Sequence, residues 1–241
     1  KIAERLAFRR IRMGLGGDIE TFISGGAALD PELIRWFEAI GIEVLEGWGL
    51  TETSAPATAN PSGNARPGSV GLPLRGVTIT VEEDGELCVR GPGVFRGYYK
   101  DPEKTELTFP TINGRRWSIP GDWATIEKDG SITLLGRGSE CINTGGEKVF
   151  PEEVEEALKI NSLVVDCNVV GLPDDRWGQA VTAVVEVKKG ETLKEVELLN
   201  DVKERLAGYK VPKSVVFVEK LKRGPNGKSD YRWARETAQS L

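Results

Sequence analysis

The chain contains no histidine, so it can supply neither a histidine general base nor a histidine metal ligand. Its three cysteines, Cys88, Cys141 and Cys167, stand far apart without metal-ligand spacing, and an odd number gives no disulfide framework. A reducing, cytoplasmic setting is the expectation from that usage. No apolar run approaches the roughly 20 residues a membrane-spanning helix needs, and the N-terminus carries no signal-peptide pattern; peripheral membrane contact stays open. The basic residues are scattered within a net charge of −5, so there is no electrostatic footprint for nucleic acid. Internal repeats and low-complexity segments are also absent. What remains is 241 residues, 39% hydrophobic and 29% charged, an ordinary composition for one large or two smaller globular domains.

Along its length the chain opens with a basic, helix-like segment up to Gly14. Residues 21–24, Thr-Phe-Ile-Ser, predict a buried strand ending at Gly25-Gly26-Ala27-Ala28, a tight turn that needs positive φ. A helix follows, with Asp30 as N-cap, Pro31 at its first position and Gly41 as its stop. A second short strand over residues 42–45 runs into a loop, Gly47-Trp48-Gly49-Leu50-Thr51-Glu52-Thr53. Two strand-to-loop junctions are therefore expected side by side at one sheet edge, where open α/β sheets collect ligands.

Residues 56–73, rich in Pro, Gly, Ser and Asn, read as a long surface loop. Hairpins are expected around Asp84-Gly85 and Asp129-Gly130, which makes the middle region mostly β and suggests a distorted barrel. Then come a helix from Pro151, strands over residues 164–170 and 181–187, and a helix opened by a capping box of Thr192 and Glu195, with Leu193, Val196, Leu199 and Val202 inward. A strand over residues 215–218 precedes a polar glycine loop from Arg223 to Ser229. This second half reads as an α+β unit of about 100 residues.

The stretch Gly136 to Glu155 joins the two halves: an arginine after a glycine, a small-residue joint, the pair Gly145-Gly146 and the Pro151 helix start. It resembles the hinge motif of the adenylate-forming superfamily, which includes acyl-CoA synthetases, luciferases and peptide-synthetase adenylation domains. The fold class implied is α/β and α+β. Residues 1–136 would be the end of a large AMP-binding domain, a sheet edge plus a β-barrel-like subdomain. Residues 137–140 would be the hinge, and residues 141–241 a small mobile α+β domain carrying the catalytic lysine.

Four further stretches resemble the superfamily in its own order. Gly47-Trp48-Gly49-Leu50-Thr51-Glu52 resembles its Tyr-Gly-x-Thr-Glu motif, with Trp48 in the tyrosine position. It offers an aromatic face for a purine, the Thr51 hydroxyl for a phosphate and the Glu52 carboxylate for Mg²⁺, which commonly takes one or two protein carboxylates and completes its shell from phosphates and water. Gly25-Gly26-Ala27 resembles the small-residue turn beside adenine and the acyl pocket. Trp117 to Asp122 resembles the segment whose aspartate holds the ribose hydroxyls, although Pro120 stands where the family has threonine, and Arg137 would reach the same ribose. Gly227-Lys228-Ser229 resembles the terminal Gly-Lys motif, whose lysine bridges carboxylate and α-phosphate oxygens, a task suited to a compact ammonium on a flexible stem. Ser139 takes the hinge position, usually Asp or Lys. Each stretch also has a plain structural reading: Trp48 as core, Thr51, Glu52 and Asp122 as turn residues, Arg137 in a surface ion pair, Lys228 solvated, and Gly145 and Gly146 merely ending a strand.

The resemblance implies ATP-dependent, AMP-forming ligase chemistry in two halves. A carboxylate attacks the α-phosphate with Lys228 swung in, giving acyl-adenylate and pyrophosphate; the small domain then turns, the Gly145-Gly146 face receives pantetheine, and the thiol of coenzyme A displaces AMP. The implied substrate is a fatty or bulky lipid acid, including sterol side-chain acids. A phosphate-gripping loop is expected upstream of Gly14 and nothing there resembles one, so the chain is expected to be the C-terminal part of a longer enzyme, inactive without the N-terminal part. Homodimerisation stays open. Alternatives are an acyl-AMP ligase that loads a carrier protein, and a non-catalytic binding module derived from the family.

Overall fold

The computed structural model describes residues 8–26, 29–225 and 227–240, in two compact units, Lys1–Leu134 and Leu135–Leu241. The first unit begins with α1 (Arg9–Gly14), β1 (Thr21–Ser24), α2 (Pro31–Ala39), β2 (Glu43–Leu50), β3 (Ala55–Ala59) and β4 (Leu72–Pro73). It continues with β5 (Thr78–Val81), β6 (Leu87–Arg90), α3 (Pro102–Thr108), β7 (Thr111–Ile112), β8 (Arg115–Arg116), β9 (Asp122–Ile126) and β10 (Ile132–Arg137), the last crossing the division. The α2 start forms as expected: Asp30 accepts from the Glu32 N–H at 2.8 Å and Pro31 opens the helix. Gly41, at φ +82°, turns the chain back into β2.

Strand order in the main sheet is β1-β2-β3-β4, with β1 parallel to β2 and the other pairs antiparallel. Two loop expectations are corrected here. The strand expected to stop at residue 45 runs on through Gly47-Trp48-Gly49 to Leu50, and the loop expected over residues 56–73 is strand at both ends. Both corrections have one cause. Gly47 and Gly49 let β3 approach where any side chain would collide, since a Cβ on Gly49 would lie 2.3 Å from the Ala55 carbonyl. The expected barrel also does not close: β5-β6, β7-β8 and β9-β10 are separate two-stranded ladders joined by isolated bridges. Gly91-Pro92-Gly93 ends the β5-β6 ladder, whereas closure needs an unbroken register. These ladders pack Ile79, Leu87, Val89, Ala124 and Ile132 against Trp48 and Ala57 of the main sheet.

The second unit contains β11 (Ile142–Thr144), β12 (Glu147–Val149), α4 (Pro151–Lys159), β13 (Val164–Asp174), β14 (Gly178–Val187), α5 (Glu195–Lys203), β15 (Ser214–Val218) and α6 (Tyr231–Gln239). β14 is central, antiparallel to β13 and parallel to β15, with β11 and β12 continuing the sheet. Val154, Leu158, Leu198 and Val202 of α4 and α5 cover Val169, Val181 and Val185 on one face, while Ala234 and Ala238 of α6 cover Val170 and Val184 on the other. Burial on both faces explains why these strands are nearly continuous apolar runs. The expected capping box does not form: α5 starts at Glu195 with Lys194 as N-cap, and the Glu195 carboxylate accepts from the Val215 N–H at 2.9 Å. With that start Leu198 and Val202 face inward and Val196 is exposed.

Glu155 on α4 is buried, accepting from the Val169 N–H at 2.9 Å and from the Tyr231 hydroxyl at 3.4 Å. Burial, chiefly, with Glu152 adding to it, pushes its carboxyl up to about 7 against the bond from Val169 and the charge of Lys159. The unfolded chain releases this proton near the ordinary value of 4.5, so between that pH and about 7 it binds fewer protons than the folded state. Stability therefore falls as pH rises through this window, by about 3 kcal/mol from this group, and levels off above it. Glu155→Gln is expected to flatten that slope, checked by comparing thermal melts of variant and wild type at about pH 5 and about pH 8.

Candidate active site

The parallel register of β1 and β2, Thr21 opposite Glu43 through Ser24 opposite Glu46, sets the turn after β1 against Gly47. A Cβ on Gly25 would lie 3.2 Å from the Gly47 carbonyl, and Gly26 has φ +86°. Ala27, the third residue of the expected adenine-side turn, lies outside the described residues. Glu46 braces this corner from within β2, its two carboxylate oxygens each accepting at 3.2 Å, one from the Leu29 N–H and the other from the Gly68 N–H.

Trp48 is 6% exposed and packs in the core of this unit, which leaves little of the ring for stacking on a purine. Its indole Nε1 instead donates to Asp122 Oδ2 at 2.9 Å. Two motifs separated by 74 residues are thereby joined by a buried, charge-assisted bond. Asp122, at the start of β9, is held at the place where β2 emerges from the core.

Thr51, Glu52 and Thr53 form a 3₁₀ turn at the end of β2. The Thr53 hydroxyl accepts from the Leu50 N–H at 2.9 Å and donates to the Ala55 carbonyl at 2.8 Å. Ser54 at φ +56° and Ala55 at φ +122° follow, conformations that cost a non-glycine residue about 1–3 kcal/mol each and that gather at functional sites. Thr51 is exposed and Glu52 half-buried. Glu52 Oε1 accepts from the Tyr98 hydroxyl at 2.6 Å, and the Glu52 carbonyl accepts from the Phe95 N–H at 3.1 Å. Burial, and next the bond to Glu52, push the Tyr98 phenol up, so it remains protonated and is the donor.

In the second unit, Arg137 is exposed at the end of β10 and Ser139 lies in a 3₁₀ turn, Gly138–Glu140. Gly145 and Gly146, at φ +60° and +89°, are the two-residue turn between β11 and β12, a tight hairpin turn rather than the flexible loop expected. Trp177 closes over it: the Gly145 N–H donates to the Trp177 carbonyl at 2.8 Å, and a Cβ on Gly145 would lie 2.9 Å from the indole. Lys228 is exposed in a loop closed by the Arg223–Ser229 bridge and by the Gly224 N–H donating to the Lys228 carbonyl at 2.8 Å. Arg223 forks onto Asp166 of β13 with two bonds of 2.7 Å and also holds the Gly227 carbonyl at 3.0 Å. The loop is therefore anchored on β13, and Lys228 within it is exposed.

The donor set defines the chemistry available. Among the described residues no group of three or more Asp, Glu or Cys side chains could cage a metal. A single held carboxylate, Glu52, fits a Mg²⁺ ion that arrives on nucleotide phosphates and keeps most of its shell from phosphate and water, not a resident metal. Burial pushes all three cysteine thiols up, Cys88 to about 11, away from the thiolate form that a nucleophile uses. Tyr98, Trp177 and Arg223 escape a reading of the sequence, since each acts through a contact made only in three dimensions.

A family model described as AMP-binding enzyme matches residues 3–99, and another described as AMP-binding enzyme C-terminal domain matches residues 153–228. A medium/long-chain-fatty-acid–CoA/3-oxocholest-4-en-26-oate–CoA ligase of Mycobacterium tuberculosis is 45% identical over 208 residues, 82% of this chain and 38% of that protein. A 3-oxocholest-4-en-26-oate–CoA ligase of Rhodococcus rhodochrous is 56% identical over 169 residues, 66% of this chain and 30% of that protein. Among solved structures, ATP-bound MatB from Rhodopseudomonas palustris is 38% identical with a TM-score of 0.81, covering 91% of this chain and 45% of that one. The chain thus spans about two fifths of the length of curated relatives it matches. With both family models matched in order and the fold shared with an ATP-bound relative, the chain belongs to the AMP-binding, adenylate-forming enzymes.

Proposed function

We propose that this chain is the part of an ATP-dependent, AMP-forming acyl-CoA ligase that carries the ribose-side carboxylate, the magnesium-side carboxylate and the catalytic lysine. The observation that carries the reading is the Trp48–Asp122 bond, which ties the Gly-x-Thr-Glu strand end to the aspartate expected to hold ribose. In the adenylation half, Asp122 and Arg137 orient the nucleotide, Thr51 meets a phosphate oxygen, and Lys228 supplies positive charge where the carboxylate attacks the α-phosphate. Mg²⁺, when bound beside Glu52, neutralises phosphate charge. In the thioester half, the Gly145-Gly146 turn gives pantetheine a bare backbone to pass along, and the thiol of coenzyme A takes the acyl group as AMP leaves. Ser139, within the 3₁₀ turn, is the position at which the backbone would change between halves.

For the acid we propose a fatty or bulky lipid acid, including sterol side-chain acids; the printed names of the mycobacterial and rhodococcal relatives support this. The test is AMP release by the intact protein given ATP, Mg²⁺ and a panel of fatty and sterol acids, with and without coenzyme A. Acid- and CoA-dependent AMP is expected. Adenylate formation indifferent to CoA would favour transfer to a carrier protein, and no turnover with any acid would leave a binding module.

A further inference from the structure

We propose that Tyr98 is a positioning residue for Glu52, holding one carboxylate oxygen so that the other is presented to the divalent cation accompanying the nucleotide. The inference rests on the reading of Glu52 as the magnesium-side carboxylate. Its basis is the 2.6 Å bond from the Tyr98 hydroxyl to Glu52 Oε1, made across 46 residues of sequence. A half-buried glutamate at a strand end has several rotamers, and a short charge-assisted bond selects one of them.

Tyr98 is itself held in place by its neighbours. Its backbone N–H donates to Thr105 Oγ1 at 2.9 Å, and its ring meets Phe95 and Phe109 at centroid distances of 5.6 and 5.7 Å. Lys104 Nζ lies 4.3 Å from the ring centroid, where a cation draws on the ring's electrons and makes the phenol a better donor. The same segment grips the turn through its backbone. The Phe95 N–H donates to the Glu52 carbonyl at 3.1 Å, and a Cβ on Gly93 would lie 2.4 Å from the Thr53 carbonyl. Turn backbone and carboxylate are thus fixed by one segment, the arrangement expected where a metal ligand must be preorganised. A tyrosine needed only for packing would not require its hydroxyl aimed at this carboxylate.

The test is Mn²⁺ binding to the intact, ATP-loaded protein, followed by the electron paramagnetic resonance signal of free Mn²⁺ without acid substrate. Wild type, Tyr98→Phe, Glu52→Gln and the double variant are compared. Phenylalanine keeps the ring packing, so the fold is retained and the melting temperature falls by no more than about 6 °C. Tyr98→Phe is expected to weaken Mn²⁺ binding about tenfold, the size of one hydrogen bond to a charged group. Glu52→Gln is expected to weaken it at least as much, and the double variant no further than Glu52→Gln alone. Wild-type Mn²⁺ affinity in Tyr98→Phe beside a weakened Glu52→Gln overturns the positioning role and leaves the Glu52 reading intact. Unchanged affinity in both single variants overturns both.

Discussion

Lys228→Ala is expected to lower acid-dependent pyrophosphate release by about 10²–10³-fold, the usual cost of removing one group that stabilises developing charge. The fold is expected to persist, because Lys228 is exposed and its loop is closed by backbone bonds and by the Arg223–Asp166 fork. The loss should be confined to one half-reaction. Supplied with preformed acyl-adenylate and coenzyme A, the variant is expected to make thioester within about threefold of wild type, because the lysine is then not in use. Lys228→Arg is expected to rescue little, since a planar fork does not replace a compact ammonium. Assaying the two halves separately in the intact protein decides the matter; equal loss in both would sink the assignment.

Gly49→Ala is expected to destabilise the first unit by about 3 kcal/mol or more, lowering the melting temperature by about 10 °C. A Cβ there would lie 2.3 Å from the Ala55 carbonyl and 2.5 Å from the Pro56 Cα, and both obstacles are backbone. No side chain can swing aside, so β2 and β3 must part. Gly146→Ala is the contrast. Nothing lies within 4 Å of its Cβ position, and φ is +89°, so the cost is conformational strain of about 1 kcal/mol. Thermal unfolding of the two variants separates a glycine required for strand contact from one required for its turn. A Gly49→Ala protein that melts with the wild type would mean that the strands do not approach as described.

The elements legible in sequence were those whose causes are local. Asp30 with Pro31 placed α2, and Pro151 placed α4, because a cap and a proline act within one turn. Gly47 and Gly49 signal a loop by propensity, while their purpose is contact with β3, which no local pattern records, so β2 is longer than its sequence predicts. Thr192 and Glu195 had the spacing of a capping box, yet Glu195 bonds to Val215, 20 residues away, and the helix starts later. In the candidate site, Glu52, Asp122 and Lys228 are singled out by motif order, since spacing and residue type alone are insufficient for any of them. Tyr98 carried no signal, since its partner is 46 residues distant.

The strand order of the second unit also bears on how it assembles. β13 and β14 are antiparallel and joined by Asp175-Arg176-Trp177, pairing out to Asp174 opposite Gly178, so they can zip from a local turn in about 1–10 μs. β15 adds to the other edge of β14 in parallel register, Thr182 opposite Ser214, only after the whole α5 excursion has been closed. Loop-closure entropy delays such distant pairing. The Lys228 loop follows β15 in sequence and is fastened to Asp166 on β13 by Arg223. The strand that anchors the lysine thus belongs to the early hairpin, while the lysine itself is mounted among the last parts to dock.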